Sequence, residues 1–207
     1  MSLPRRLVSS SKPLRLSNLS CTRPTMLKLN SQVRLTPLEV AHADAMFRWM
    51  SDPEVADNVG LRRKPSPELT REWIHKAHSD PSILAFAVLF AERHVGNVIL
   101  DQIDEHLGAA RLSIYIGEPG LRGKGVGSTA TYLAVREGFE NHHLNKVWLT
   151  VHVRNSLAVN AYGKLGFALE GVLRQEFWLN GNRTDVFRMS LLQREFRELT
   201  LSENSHG

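Results

Sequence analysis

An alternating apolar run gives way within a few residues to a run with helical spacing, and the joint between them is built largely of glycine. Leu112, Ile114 and Ile116 alternate with Ser113 and Tyr115, as in a strand. The strand should stop at Gly117-Glu118-Pro119-Gly120, where strand structure cannot easily continue. Then come Leu121-Arg122-Gly123-Lys124-Gly125-Val126-Gly127 and a helical pattern over about 125–140, with Ala130, Leu133, Ala134 and Phe139 expected to face inward. Glycine lets the backbone turn sharply and approach a ligand without a Cβ in the way. The unpaired amides and dipole of the helix N-terminus then form a cradle for an anion. With Arg122 and Lys124 adding positive charge, a pyrophosphate is the guest that suits it. The loop fits neither the P-loop pattern nor a complete G-x-G-x-x-G. Taken alone, it is equally readable as a structural turn.

The rest of the chain supplies the architecture. Val33 and Leu35 alternate with polar neighbours as a short strand, and Val40 to Met50 reads as a helix with Ala43, Phe47 and Met50 on one face. Asp52-Pro53 should end that helix. Ser66-Pro67 resembles a cap with proline at the first helical position, opening a helix through Ile74 and Ala77. Residues 83–90 and 94–100 form a hairpin across Ala91-Glu92-Arg93. Val147, Leu149 and Val151 form a further strand, and Ser156 to Leu165 a short helix closed by Gly166. Segments 168–176 and 184–191 flank Asn180-Gly181, a strong hairpin turn. The order is therefore strand, two helices, three strands, helix, strand, helix, two strands. It predicts a single α/β (α+β) domain, a mixed and mostly antiparallel sheet of about seven strands flanked by about four helices.

Composition narrows the function. The formal charge of +5 comes from the first 28 residues, which hold Arg5, Arg6, Lys12, Arg15, Arg23 and Lys28 and no acid. Without those six, 20 basic residues stand against 21 acidic ones, so the folded part is near neutral and gives no reason to expect nucleic-acid binding. The basic, Ser-rich stretch 1–28 reads as a disordered tail, 29–195 as the domain and 196–207 as a polar C-terminal tail. The longest apolar run, Ile83 to Phe90, is far short of the roughly 20 residues of a membrane span. The single cysteine, Cys21, excludes an internal disulfide and suits a reducing cytoplasm. The nine histidines lack metal-binding spacing, so no metal is expected.

Two motifs, in order, carry a family resemblance. Arg122, Gly125 and Gly127 match the (Arg/Gln)-x-x-Gly-x-(Gly/Ala) signature of the GNAT N-acetyltransferases. Downstream, Asn155, Ala158, Tyr162, Lys164, Gly166 and Phe167 follow that family's N-x-x-A-x-x-x-Y-x-K-x-G-F. The resemblance covers about residues 32–193, and its closing segment looks like the subgroup holding ribosomal-protein, polyamine and amino-sugar acetyltransferases. It implies acetyl-CoA as co-substrate. It also implies pantetheine contacts from Ile114, Tyr115 and Ile116, and pyrophosphate contacts from Arg122, Gly123, Lys124, Gly125, Val126, Gly127 and Ser128. Asn155, Asn160 and Lys164 would add further cofactor contacts. Tyr162 would protonate the leaving thiolate, which is general-acid work.

The acceptor would be a primary amine. Strand alternation puts Trp148, Thr150 and His152 on one face, where His152 is a candidate base or else simply packed. Asp101 and Asp104, read as loop carboxylates after the third strand, are candidates for attracting a cationic acceptor. Polyamine enzymes of similar sequence tend to be acidic where this chain has Arg111. That residue favours an amino sugar or another small amine, with a protein N-terminus or a polyamine as alternatives. A non-catalytic acyl-CoA-binding module and an ATP-binding protein remain as rival classes, and a homodimer is compatible with the late hairpin.

Overall fold

The computed structural model describes residues 29–196, apart from 62, 122 and 180. It contains β1 (Val33–Pro37), a 3-10 turn (Val40–His42), α1 (Ala43–Met50), α2 (Pro53–Val59), α3 (Pro67–Ser79), β2 (Leu84–Phe90), β3 (Arg93–Asp104) and β4 (Ala109–Ile116). There follow α4 (Val126–Asn141), β5 (Lys146–His152), α5 (Ser156–Lys164), β6 (Ala168–Leu179) and β7 (Asn182–Leu192). The seven strands form one sheet in the order β1-β2-β3-β4-β5-β7-β6. Every pairing is antiparallel except β4 with β5, which run parallel across the α4 crossover. The expected class and strand number hold.

Three local features differ from expectation. The first helix does end before Pro53, at Met50, but the proline also begins a further helix, α2, that the sequence reading lacks. Pro is pre-organised for the first helical turn, where its missing N–H is not needed. In α1 the buried residues are Ala43, Met46 and Trp49, so the helix is rotated from the expected Ala43–Phe47–Met50 face. Finally, β3 runs on through Asp104, which makes Asp101 and Asp104 strand residues, with a register irregularity between them at Gln102 (φ 52°).

The hairpin turns and caps follow the sequence. Ala91 and Glu92 both adopt positive φ (47° and 62°), the handedness a tight two-residue hairpin requires. The Ser66 side chain accepts the Leu69 N–H at 3.2 Å and caps α3 over Pro67. Of the second hairpin turn, Asn180 lies outside the described residues, while Gly181 has φ 74° and Leu179 faces Asn182.

Helices cover both faces. Ala130, Ala134, Val135 and Phe139 of α4 share one core with Val147, Leu149 and Val151 of β5 and with Val159 of α5. Phe196, the last described residue, is buried in this core with its ring near those of Tyr132 and Phe139. Leu38, Ala43, Met46, Ile74 and Ala87 make a second cluster under α1 and α3. Among the described residues no helix is long and apolar enough to cross a membrane.

The strand–loop joint is clamped to α1. Glu118 accepts from Arg48 Nη2 at 2.7 Å and from Trp49 Nε1 at 3.2 Å. A Cβ on Gly117 would lie 2.2 Å from the Trp49 ring, a contact no side chain makes without displacing its neighbour. Gly117→Ala is therefore expected to lower stability by about 1–3 kcal/mol, as overpacking does. Urea unfolding would check this, and an unchanged midpoint would show that the Trp49 contact is loose.

Candidate active site

The site is an opening within the sheet. Ala109, Ala110 and Arg111 pair with Lys146, Val147 and Trp148, and there the β4–β5 pairing ends. Beyond Arg111, β4 keeps its antiparallel partner β3 only, while β5 remains paired with β7 out to His152. The two strands part, and the β5-facing backbone groups of residues 112–116 are left without a strand partner. Backbone donors and acceptors in such a wall call for a ligand or water. A cleft of about 530 Å³ lies at the parting, lined by Ile114 and Tyr115 of β4, Val151 and His152 of β5, and Asn155, Ala158 and Tyr162 of α5. The opposite wall comes from α1, the segment from α2 to α3, and Phe177 of β6.

Beyond the end of β4 the glycine loop meets α4. Gly120, Gly123 and Gly125 take φ of 76°, 77° and 75°, and a Cβ on any of them would meet nothing within 4 Å. The requirement at Gly125, the N-cap of α4, is thus backbone conformation together with open space above it. The N-terminal amides of α4, at Val126, Gly127 and Ser128, face the same end of the helix and have no intrahelical carbonyl to bond. Asn30 braces the loop from behind. Its Nδ2 donates to the Lys124 carbonyl at 3.1 Å, and its backbone N–H donates to Thr129 Oγ1 at 2.9 Å. An open cradle of this kind fits a pyrophosphate. Arg122 lies outside the described residues.

Polar pairs organise the sheet face turned toward α1 and α3. Asp101 and Arg111 are register partners, and Arg111 donates through Nε at 2.8 Å and Nη2 at 2.6 Å in a two-pronged ion pair. Asn97 and Tyr115 are register partners two pleat repeats away, with Asn97 Nδ2 donating to the Tyr115 hydroxyl at 2.5 Å. Asn97 Oδ1 also meets His94 Nε2 at 2.9 Å, and the His94 ring packs on Trp49 and His42. Burial holds the His94 imidazolium below its ordinary range and raises the Tyr115 phenol, so both are neutral at physiological pH.

Tyr162 lines the cleft with its ring 5.7 Å from Phe167, and burial pushes its phenol up to about 12. Its hydroxyl therefore keeps its proton through the neutral range. His152 lies edge-on to Phe177 at 4.5 Å, with Nδ1 3.3 Å from Thr184 Oγ1, and burial lowers its pKa. At neutral pH it is an uncharged imidazole able to accept a proton.

The structure thus brings together Ile114, Tyr115, His152, Asn155 and Tyr162 along one cleft. Ile116 lies at the end of β4 and packs against the core. Gly123, Lys124, Gly125, Val126, Gly127 and Ser128 stand at the adjoining loop and helix start. Asn160 and Lys164 are exposed on α5 and do not line the cleft. Asn155 Oδ1 is committed to the Ala158 N–H at 3.1 Å as the cap of α5, which leaves its carboxamide nitrogen for another partner. Asp101, expected to be a free loop carboxylate, is neutralised, and so is Arg111.

Two contributors had no sequence signal. Asn30 precedes the first strand and shows no periodicity. Phe177 reaches His152 through an irregularity in β6. Leu173 pairs with Val186 and Phe177 with Thr184, while Gln175 (φ 53°) donates its N–H to Asp185 Oδ1 at 2.8 Å. Among the described residues, no group of three or more His, Cys, Asp or Glu side chains is placed to hold a metal ion.

Known proteins share both the sequence and this fold. Residues 32–168 match the acetyltransferase (GNAT) domain. The spermidine N(1)-acetyltransferase of Escherichia coli K12 is 35% identical over 155 residues, covering 75% of this chain and 77% of its own. The corresponding Vibrio cholerae enzyme is 32% identical over 180 residues, covering 81% and 97%. The crystal structure of the Vibrio cholerae spermidine N-acetyltransferase in complex with CoA and spermine superposes with a TM-score of 0.77 at 30% identity, over 81% of this chain and 99% of that one. The chain belongs to the GNAT acetyltransferase family. It is an acetyl-CoA-dependent N-acetyltransferase, carrying an acetyl group to an amine.

Proposed function

We propose that the cleft between β4 and β5 is where a small primary amine takes the acetyl group, with Tyr162 as the acid and His152 as the base. The observation that carries this reading is the buried, protonated Tyr162 phenol lining a cleft whose opposite strand has unpaired backbone groups. Acetyl-CoA supplies an acetyl thioester. The free edge of β4 at Ile114, Tyr115 and Ile116 holds its pantetheine arm and orients the carbonyl. The cradle of Gly123, Lys124, Gly125, Val126, Gly127 and Ser128, together with Arg122, holds its pyrophosphate. Asn155 binds through its free carboxamide nitrogen, with Asn160 and Lys164 contributing from the outer face of α5.

An aliphatic amine is mostly protonated at neutral pH and must lose a proton before attack. His152 takes that proton on Nε2 while Nδ1–H donates to Thr184 Oγ1. The amine nitrogen then bonds to the acetyl carbon as the carbon–sulfur bond breaks. Tyr162 delivers its hydroxyl proton to the departing sulfur, so the products are the N-acetyl amide and CoA thiol.

A polyamine acceptor is the second reading, favoured by the likeness to the spermidine N-acetyltransferases. We place the domain at residues 29–196, one residue beyond the sequence-based boundary because Phe196 is buried, with 1–28 and 197–207 as tails. The single cysteine suits a cytoplasmic enzyme. Self-association is also part of this reading. A dodecameric structure is known for the Vibrio cholerae enzyme, and here the edge strand β6 exposes Val172 and Trp178.

Tyr162→Phe is expected to lower kcat by about 100-fold while CoA affinity stays within about twofold. Equal losses in stopped-flow turnover and in calorimetric CoA binding would remove its role as the acid. Gly125→Glu should eliminate CoA binding, because it forces a side chain into the φ 75° region and sets a carboxylate in the anion cradle. Unchanged binding would remove the pyrophosphate assignment. The base requires neutral His152, whose pKa lies below the ordinary 6.5. The wild-type kcat/KM profile should therefore fall on the acid side with an apparent pKa below 6.5, and His152→Ala should abolish that limb. A limb that survives the substitution assigns the base elsewhere.

A further inference from the structure

The acceptor half of the cleft has a chemistry of its own. Its floor is the sheet face on which Asp101 faces Arg111 and Ile99 faces Ser113. Among the described lining residues Asp101 is the sole carboxylate. It is part-buried, and both of its oxygens are held by the Arg111 fork. The remaining charged lining groups are the cations Arg63 and Lys64 at the exposed rim. The walls are apolar, with Met46 and Met50 of α1, Leu69 and Trp73 of α3, and Phe177 of β6.

This lining discriminates between acceptors. A polyamine carries several ammonium groups, and each one brought into a part-buried cleft needs a carboxylate to replace its water. The floor offers none that is uncommitted, and the rim cations Arg63 and Lys64 oppose a second positive charge. A nucleotide-linked amino sugar has several hydroxyls that would lie against methionine and aromatic walls with few partners. An aromatic or similarly bulky apolar body suits those walls, because methionine adapts to an inserted shape and Trp73 and Phe177 supply flat contact surfaces.

We infer that the acceptor is a monoamine bearing an apolar, aromatic-sized body, its amino group reaching into the cleft and its body held between α1, α3 and Phe177. This inference rests on the transferase reading of the same cleft.

The test compares kcat/KM of the full-length enzyme at saturating acetyl-CoA for phenethylamine, tryptamine, spermidine and a nucleotide-linked glucosamine. The arylalkylamines should exceed the other two by at least about tenfold. Spermidine or the amino sugar in first place would overturn the inference. Acetyl-CoA binding, titrated separately by calorimetry, keeps the two levels apart. A failure to bind acetyl-CoA sinks the transferase reading, whereas binding without turnover of either arylalkylamine sinks this inference alone. A second arm uses Arg111→Glu, which releases Asp101 and sets a second carboxylate beside it. The ratio of spermidine to phenethylamine kcat/KM should rise at least about tenfold, and a ratio that stays put means the floor does not select the acceptor.

Discussion

Three residues of parallel pairing, Ala109–Arg111 against Lys146–Trp148, join the two halves of the sheet, and the candidate cleft exists because the pairing stops there. Had β4 and β5 stayed bonded to their ends, the backbone edge of Ile114–Ile116 would be spent on a strand and Tyr162 would look onto a closed sheet. The parting supplies an apolar-walled cleft and a row of unpaired backbone groups. The α4 crossover adds a helix N-terminus beyond the end of β4, because a parallel pair needs a long return connection. Parallel topology and anion cradle are in this sense one feature.

Electrostatics at the cleft follows from how little free charge it contains. Asp101 and Arg111 cancel one another across the β3–β4 register, and Asn97 spends its carboxamide on Tyr115 and His94. Burial raises the Tyr162 phenol and lowers the His152 imidazole, the two groups proposed to move protons. Burial acts in opposite senses on an acid that ionises to an anion and a base that ionises to a cation. A single apolar environment therefore leaves the phenol protonated and the imidazole unprotonated, the two states acid and base need. The same environment disfavours a multiply charged guest, which links the chemistry of the step to the choice of acceptor.

Much of the fold was legible because strand and helix periods leave distinct traces. The alternation of Val147, Leu149 and Val151 marked the buried face of β5, and Ser66-Pro67 marked the start of α3. The motif around Tyr162 was legible too, since Ala158 and Tyr162 sit one helical turn apart and both line the cleft. Errors arose where one residue type supports two outcomes. Pro53 reads only as a stop, and besides following the end of α1 it starts α2. Asp101 and Asp104 read as loop residues because aspartate is poor in strands, yet in Asp101 the cross-strand Arg111 compensates for that preference.

The sequence by itself determined most of the order of elements and the glycine-headed helix, and it singled out Tyr162, His152 and the glycine loop as the candidate acid, base and cradle. Each of these is written in local spacing and in the conformations glycine alone tolerates. Only the tertiary structure decided that β4 and β5 part after Arg111, that Arg111 is neutralised by Asp101, that Asn30 braces the loop, and that a bulge in β6 carries Phe177 to His152. These are contacts between residues distant in the chain, set by strand register and by which side chains happen to meet across the sheet. No local periodicity records them.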